Sequence, residues 1–373
     1  MPRLVAVATA LLVLVLAAPA AAGGRSVPRG FFGVDFDRQI QYAGPQWQDT
    51  IWATMAGNGV EAARVIFDWR AAQPSKDVAP DFGRTDNLVR AAAAHGVRLV
   101  PVVIIAPRWA RVIGDSEASR PRDVGAYTDY LKALVERYGP KGTFWEVDPL
   151  LPKLPIRAWQ IWNEPDMAYQ WLPRENWQKN YGRLLARSYS TLRKADPGAK
   201  VVAAALTNYS WTTLDKLYRH ANLAAHSDAI AINAYTRVVD NLIEITRRNR
   251  KVMDRRGDRK KPLWITEWGA SASKGKFVAP GQDHLQVTDR ELAKLVRDGY
   301  NRLAADRKKL GVTRAFWYTW ASSYDAHLKS IFDFTGLERW SNFELHPRRA
   351  LRAFRSRARV YEGCSKSGLG DCR

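Results

Sequence analysis

The chain has 373 residues, of which 46% are hydrophobic and 25% charged, a globular composition that excludes a disordered or fibrous protein. Fifty-eight Lys and Arg against 37 Asp and Glu give a formal net charge of +21, so anionic partners have to be considered. Two cysteines exclude a disulfide-dense scaffold and a four-cysteine zinc site.

The amino terminus is basic at Met1-Pro2-Arg3, apolar from Leu4 to Leu16, and small at Ala17-Ala18-Pro19-Ala20-Ala21-Ala22. That order predicts a secretory signal peptide over residues 1–22, cut after Ala22. The apolar run is short for a bilayer span. The expected location is therefore outside the cell or at its envelope. At the other end, Cys364 and Cys372 lie in a Gly/Ser tail (361–373) and are expected to close a small disulfide loop, as export would permit.

Between the ends, eight short apolar runs recur: 31–36, 62–67, 98–105, 157–162, 200–205, 229–233, 262–266 and 314–319. Near-continuous apolar runs suit parallel strands covered on both faces. Amphipathic stretches at 86–95, 124–138, 175–194 and 288–309 lie between them and predict helices. Gly59, Gly96 and Gly311 stand where helices should stop before the next strand. Eight alternating units predict an α/β fold, a single (β/α)8 barrel over residues 27–360. A doubly wound sheet lacks its expected Gly-rich loop after the first run. Residues 139–155, with four prolines, and the polar segment 269–289 read as insertions. The second follows a strand and is a candidate substrate loop. A last loop and a closing helix over 347–359 complete the barrel.

A barrel carries its chemistry at the carboxyl ends of its strands. Glu164 ends the fourth run in Ile161-Trp162-Asn163-Glu164-Pro165-Asp166, and Glu267 ends the seventh in Trp264-Ile265-Thr266-Glu267-Trp268. Two carboxyls across a barrel mouth suit glycosidic cleavage, one donating a proton to the leaving oxygen and the other attacking the anomeric carbon. Asp35, Asp37, Asp68, Trp69 and Trp109 also lie at strand ends and are candidate subsite residues. Trp317 reads equally as a core aromatic. The six histidines form no close-spaced ligand motif and no Gly-x-Ser-x-Gly elbow is present, so no cofactor or metal is expected.

Asn163-Glu164-Pro165 on the fourth strand, with Glu267 on the seventh, resembles the retaining glycoside hydrolases of clan A. The local form is most similar to glycoside hydrolase family 39 and bacterial cellulase-like relatives. The resemblance implies that Glu164 is the acid/base and Glu267 the nucleophile. It implies that Asn163 bonds the sugar 2-hydroxyl, that Arg64 keeps Glu267 ionised, and that Tyr235 orients it. Trp320 would form the platform beneath the sugar. Asn233 stands where many members carry a histidine before that tyrosine.

The expected partner is thus a carbohydrate, cleaved with retention and a carboxyl separation of about 5 Å. Transglycosylation at the same site, or glycan binding without catalysis on a barrel scaffold, are the rival readings. The basic runs at 247–251, 255–261 and 348–359 fall on helices, away from strand carboxyl ends, and carry no nucleic-acid motif. They predict a solvated basic face or attraction to an anionic envelope polymer.

Overall fold

A computed structural model describes residues 24–363 except Asp37, Tyr42 and Asn208. The predicted signal segment, Asp37, Cys364 and Cys372 therefore lie outside the described residues.

The eight apolar runs form eight parallel strands: β1 (Phe32–Asp35), β2 (Ala62–Asp68), β3 (Arg98–Ile104), β4 (Ala158–Ile161), β5 (Lys200–Val202), β6 (Ile230–Tyr235), β7 (Leu263–Gly269) and β8 (Val312–Trp317). They pair in the order β5-β4-β3-β2-β1-β8-β7-β6. Parallel bridges Val202 to Ala229 and Leu206 to Ile232 join the two outer strands and complete the ring. Among the described residues, eight long helices cover it: α1 (Pro45–Gly57), α2 (Gly83–Ala94), α3 (Val124–Tyr138), α4 (Trp177–Ala195), α5 (Ser210–His220), α6 (Val239–Arg255), α7 (Asp289–Leu310) and α8 (Arg349–Glu362). The chain is a (β/α)8 barrel, as the alternation predicts.

Local chemistry sets the boundaries. Thr288 caps α7 by accepting from the Glu291 amide while the Glu291 side chain returns to the Thr288 amide, satisfying two helix-end donors. Gly59, Gly96 and Gly311 take φ values of 90°, 66° and 68°, the left-handed conformation that ends a helix cheaply only at glycine.

The lower barrel is filled by apolar side chains, with Ala62, Val100, Ala158, Val202 and Ala231 packed around Trp264 and Phe316. Gly33 makes room for this filling, because a Cβ there would sit 2.5 Å from the Phe316 ring. Small residues on most strands leave the volume that the two large rings occupy.

One addition was not predicted. The segment after β8 folds into a small sheet of β9 (Ala321–Ser322), β10 (Glu338–Ser341) and β11 (Glu344–Pro347), with β10 parallel to β9 and antiparallel to β11. It lies over the β1 end of the barrel mouth, since the Trp320 amide donates to the Asp35 carbonyl and the Glu338 amide to the Trp320 carbonyl. No helix among the described residues is long and apolar enough to cross a membrane.

Candidate active site

Polar residues in otherwise apolar strands converge on the mouth of the barrel. They line a cavity of about 640 Å³ together with Ile105, Tyr169, Tyr209, Tyr318 and Phe332. Arg64 on β2 is the hub and is buried. Its Nη1 donates to Glu267 Oε1 at 2.8 Å and also pairs with Asp35. Its Nη2 donates to Asn163 Oδ1 and its Nε to Gln160 Oε1, both at 2.9 Å. One planar guanidinium thus ties together the ends of β1, β2, β4 and β7.

Glu267 also accepts from the Tyr235 hydroxyl, OH to Oε2, at 2.5 Å. The β6–β7 register shifts at Asn233, setting that residue opposite Glu267 rather than Thr266. Such an irregularity re-aims side chains at a strand end. Asn233 Nδ2 then donates to Glu164 Oε1 at 2.7 Å, and its Oδ1 accepts from Thr266 Oγ1 at 3.0 Å, which fixes the amide's orientation. The Tyr169 hydroxyl donates to Glu164 Oε2 at 2.6 Å.

Backbone geometry around Glu164 is unusual. Trp162 and Glu164 have φ of 67° and 42°, and Ile105 at the neighbouring strand end has 63°. Bulky residues in the left-handed region cost about 1–3 kcal/mol each and persist only where the surroundings hold them. Here the Glu164 amide donates to the Ala205 carbonyl, and Trp162 Nε1 donates to the Gln170 carbonyl at 2.8 Å. Arg174 adds two bonds to the Pro165 and Asp166 carbonyls.

Both carboxyls are buried, Glu164 at 6% and Glu267 at 7% exposure, and burial pushes both up from the usual carboxylate range. For Glu267, burial and then the Glu164 charge raise it to about 7 against the opposing pull of Arg64 and Tyr235. For Glu164, burial outweighs the Tyr169 and Asn233 hydrogen bonds, with the Asp166 charge adding to the rise. Arg64 is held above its ordinary range: burial opposes its charge, and Glu267 and Asp35 outweigh burial. Tyr235 is raised well above its ordinary value by burial and by the Glu267 charge, so it stays a donor.

The structure brings Glu164, Glu267, Asn163, Arg64, Tyr235 and Asp35 to one cavity. Trp320 differs from expectation. It is fully buried and does not line the cavity, because its backbone is bonded on both sides, to Asp35 and Glu338, and its ring enters the core. Tyr318 faces the cavity instead, edge-on to Tyr235 and Phe332 at 5.7 and 5.6 Å. Trp109 also stands apart from the cavity. Its Nε1 donates to the Gln73 carbonyl at 3.0 Å and its ring packs edge-on against buried Trp69, so it braces a loop. Asp68 caps the turn at Ala71 and pairs with Arg70, lining a separate cavity of about 460 Å³ that meets the first at Ile66. Trp317 is core, its Nε1 donating to the Thr335 carbonyl.

Tyr169, Gln160, Tyr318 and Phe332 were not anticipated. Gln160 carried a signal, being a polar residue within an apolar strand. Tyr169 sits in a loop with no periodicity to mark it. Among the described residues, no group of three or more His, Cys, Asp or Glu side chains is placed to hold a metal ion.

No family model and no curated protein matches the sequence. Solved structures do match the fold. A family 39 glycoside hydrolase from Bacteroides cellulosilyticus WH2 is 16% identical with a TM-score of 0.66, over 89% of this chain and 64% of the other. A monomeric beta-xylosidase from Caulobacter crescentus CB15 is 16% identical with a TM-score of 0.66, over 93% of this chain and 70% of the other. A glucosidase from Croceicoccus marinus is 14% identical with a TM-score of 0.66, over 91% and 69%. The chain thus spans slightly less than two thirds of the first neighbour's length. At these identities the likeness is one of fold: this chain is built on the barrel found in glycoside hydrolases of family 39.

Proposed function

We propose that this protein is an exported glycoside hydrolase that cleaves with retention of configuration. The observation that carries the proposal is the unequal surroundings of two buried carboxyls on one cavity. Glu267 faces a cation and a phenol, Arg64 and Tyr235. Glu164 faces neutral donors, Asn233 and Tyr169. The shared proton belongs to the pair, and these contacts decide where it rests. Protonating Glu267 would cost the Arg64 ion pair. Protonating Glu164 costs less, since the Tyr169 hydroxyl can turn and accept. Glu267 is therefore the anion and Glu164 the acid.

In the first step a Glu267 oxygen attacks the anomeric carbon. The bond to the leaving oxygen breaks as Glu164 protonates that oxygen. In the second step Glu164 takes a proton from water, the water oxygen bonds to the anomeric carbon, and Glu267 leaves. Asn163 and Asp35 lie beside Arg64 on the cavity wall and are positioned to bind sugar hydroxyls. Tyr318 and Phe332 offer apolar faces suited to a sugar ring. The neighbours include xylosidases and a glucosidase, so aryl β-xylosides and β-glucosides are the first substrates to try.

The test compares wild type with Glu267→Gln and Glu164→Gln on those glycosides and on polysaccharides. Glu267→Gln is expected to lose roughly 10⁴-fold in turnover with its fold intact. Near-normal turnover would refute the assignment. Export rests on residues 1–22 alone, and sequencing the amino terminus of secreted protein tests it: a start at Gly23 is expected.

A further inference from the structure

Helices α5 and α6 enclose a groove of about 550 Å³ on the outer wall of the barrel. Its lining includes six cations, Lys216, Arg219, Arg247, Arg248, Lys251 and Arg255, against two carboxylates, Asp215 and Glu244. Both helices run downward from the strand carboxyl ends, so the groove starts at the barrel mouth. From Glu244 to Arg255 it extends about 16 Å at ~1.5 Å per residue.

The two acids are already saturated. Asp215 pairs with Arg219, Arg255 and Arg256. Arg247 forks onto Glu244 through Nε and Nη2 at 2.7 and 2.6 Å, and Arg248 adds a third bond. These two arginines hold the Glu244 carboxyl down to about 2. Lys216 and Lys251 are exposed and carry no ion pair among the described residues. The groove therefore keeps a net positive field along its length, and its arginines already display the fork-to-carboxylate geometry.

Two aromatics join this groove to the catalytic cavity. Tyr209 lines the cavity and is 76% exposed. Trp211 lines the groove, with Arg248 over its ring at 4.8 Å. The two rings are 5.5 Å apart. Tyr209 lies just beyond Ala205 in the segment that follows β5, and the Ala205 carbonyl accepts from the Glu164 amide, so Tyr209 lies on the acid's side, where the leaving group must sit. The cavity itself has one guanidinium, Arg64, which is committed to Asp35 and Glu267.

We infer that the substrate is a uronate-bearing polysaccharide whose leaving-group chain passes over Tyr209 and Trp211 into the α5–α6 groove, while a neutral sugar occupies the cleavage position. The inference rests on the glycosidase reading for the direction of the chain. Neutral recognition at the cavity and anionic recognition on the wall are separable by mutation, because the groove cations make no contact with Glu164 or Glu267.

The test measures binding without turnover. Fluorescein-labelled oligogalacturonate is titrated into Glu267→Gln protein by anisotropy, with labelled dextran and a labelled DNA oligonucleotide of equal charge as comparisons. Lys216→Glu with Lys251→Glu in the same background is expected to weaken oligogalacturonate about tenfold or more. Near 1 M salt, where screening acts within about 3 Å, the difference should vanish. Lys216→Gln with Lys251→Gln should give a smaller loss, and an unchanged melting temperature certifies the fold. In the active background the charge reversal should leave turnover of small neutral aryl glycosides unchanged. Oligogalacturonate binding that is unaffected by the reversal, dextran binding of equal strength, or DNA binding tighter than oligogalacturonate would each overturn the inference. Since binding is read in an inactive variant, these failures are distinct from failure of the hydrolase reading, which would appear as silent wild-type enzyme.

Discussion

The mouth of this barrel buries one arginine and the floor half-buries another, and the two are treated in opposite ways. At the mouth, Arg64 faces Asp35 and Glu267, which hold its charge firmly in place. On the floor, Arg314 lies over the Trp264 ring at 4.7 Å, and burial lowers its pKa to about 10. Its Nη1 is buried without a hydrogen-bond partner among the described residues. The floor tolerates a cation on an aromatic face as packing. The mouth organises four polar side chains around one. A buried arginine is informative only with its partners, and those partners are what separate a site from a core.

The largest effect should come from breaking that contrast directly. Arg64→Met leaves two carboxylates buried without their cation and is expected to cost about 3–5 kcal/mol of stability by denaturant titration. Arg314→Met removes a cation that makes no salt bridge among the described residues and, of the carboxylates, feels only the more distant Glu61 charge, so it should stay within about 1 kcal/mol of wild type or gain stability. Equal losses in the two variants would erase the distinction.

A smaller effect is expected from Tyr235→Phe. It removes a charge-assisted hydrogen bond to Glu267, worth roughly 1.5–3 kcal/mol, and should lower kcat about 10- to 100-fold with little change in KM. Without this donor the Glu267 anion is less favoured, so the acidic limb of the pH–rate profile should move to higher pH. Tyr169→Phe acts on the other carboxyl. The lost donor had opposed the rise of Glu164, so the basic limb should also move upward. A downward shift in either variant would contradict the roles given to these phenols.

The smallest effect concerns stability against pH. The Glu164–Glu267 pair, sharing one proton, and Glu338 are all raised above the usual carboxylate range, Glu338 to about 7 by burial alone. A carboxyl whose folded pKa exceeds its unfolded value binds protons more tightly when folded. Stability then falls as pH rises from about 4.3 to about 7, and the melting temperature should be higher at pH 5 than at pH 8. Glu338→Gln should flatten part of this slope while leaving turnover unchanged, because Glu338 lies on β10 outside the catalytic cavity. A melting temperature that rises with pH over this window would contradict the shifts.

Much of the fold was legible because parallel strands buried on both faces must be apolar almost throughout, and the glycine stops mark where helices end. The two glutamates were legible because each stands at a strand end in a Trp-flanked motif. Trp320 was misread, since its burial depends on the β9–β11 sheet, and short strands such as Ala321–Ser322 leave no periodic trace. Tyr169 and Asn233 take their meaning from tertiary geometry. Asn233 reaches Glu164 only because of a register shift that sequence does not display.

The most direct measurement is mass spectrometry after incubation with activated 2-deoxy-2-fluoro xylosides and glucosides. The 2-fluorine slows both steps, and the activated leaving group lets the first proceed, so the glycosyl-enzyme accumulates. One sugar-mass increment is expected on the peptide carrying Glu267, and none in Glu267→Gln. An adduct on another residue, or an inverted product from an aryl glycoside that leaves no adduct, would contradict the nucleophile role of Glu267.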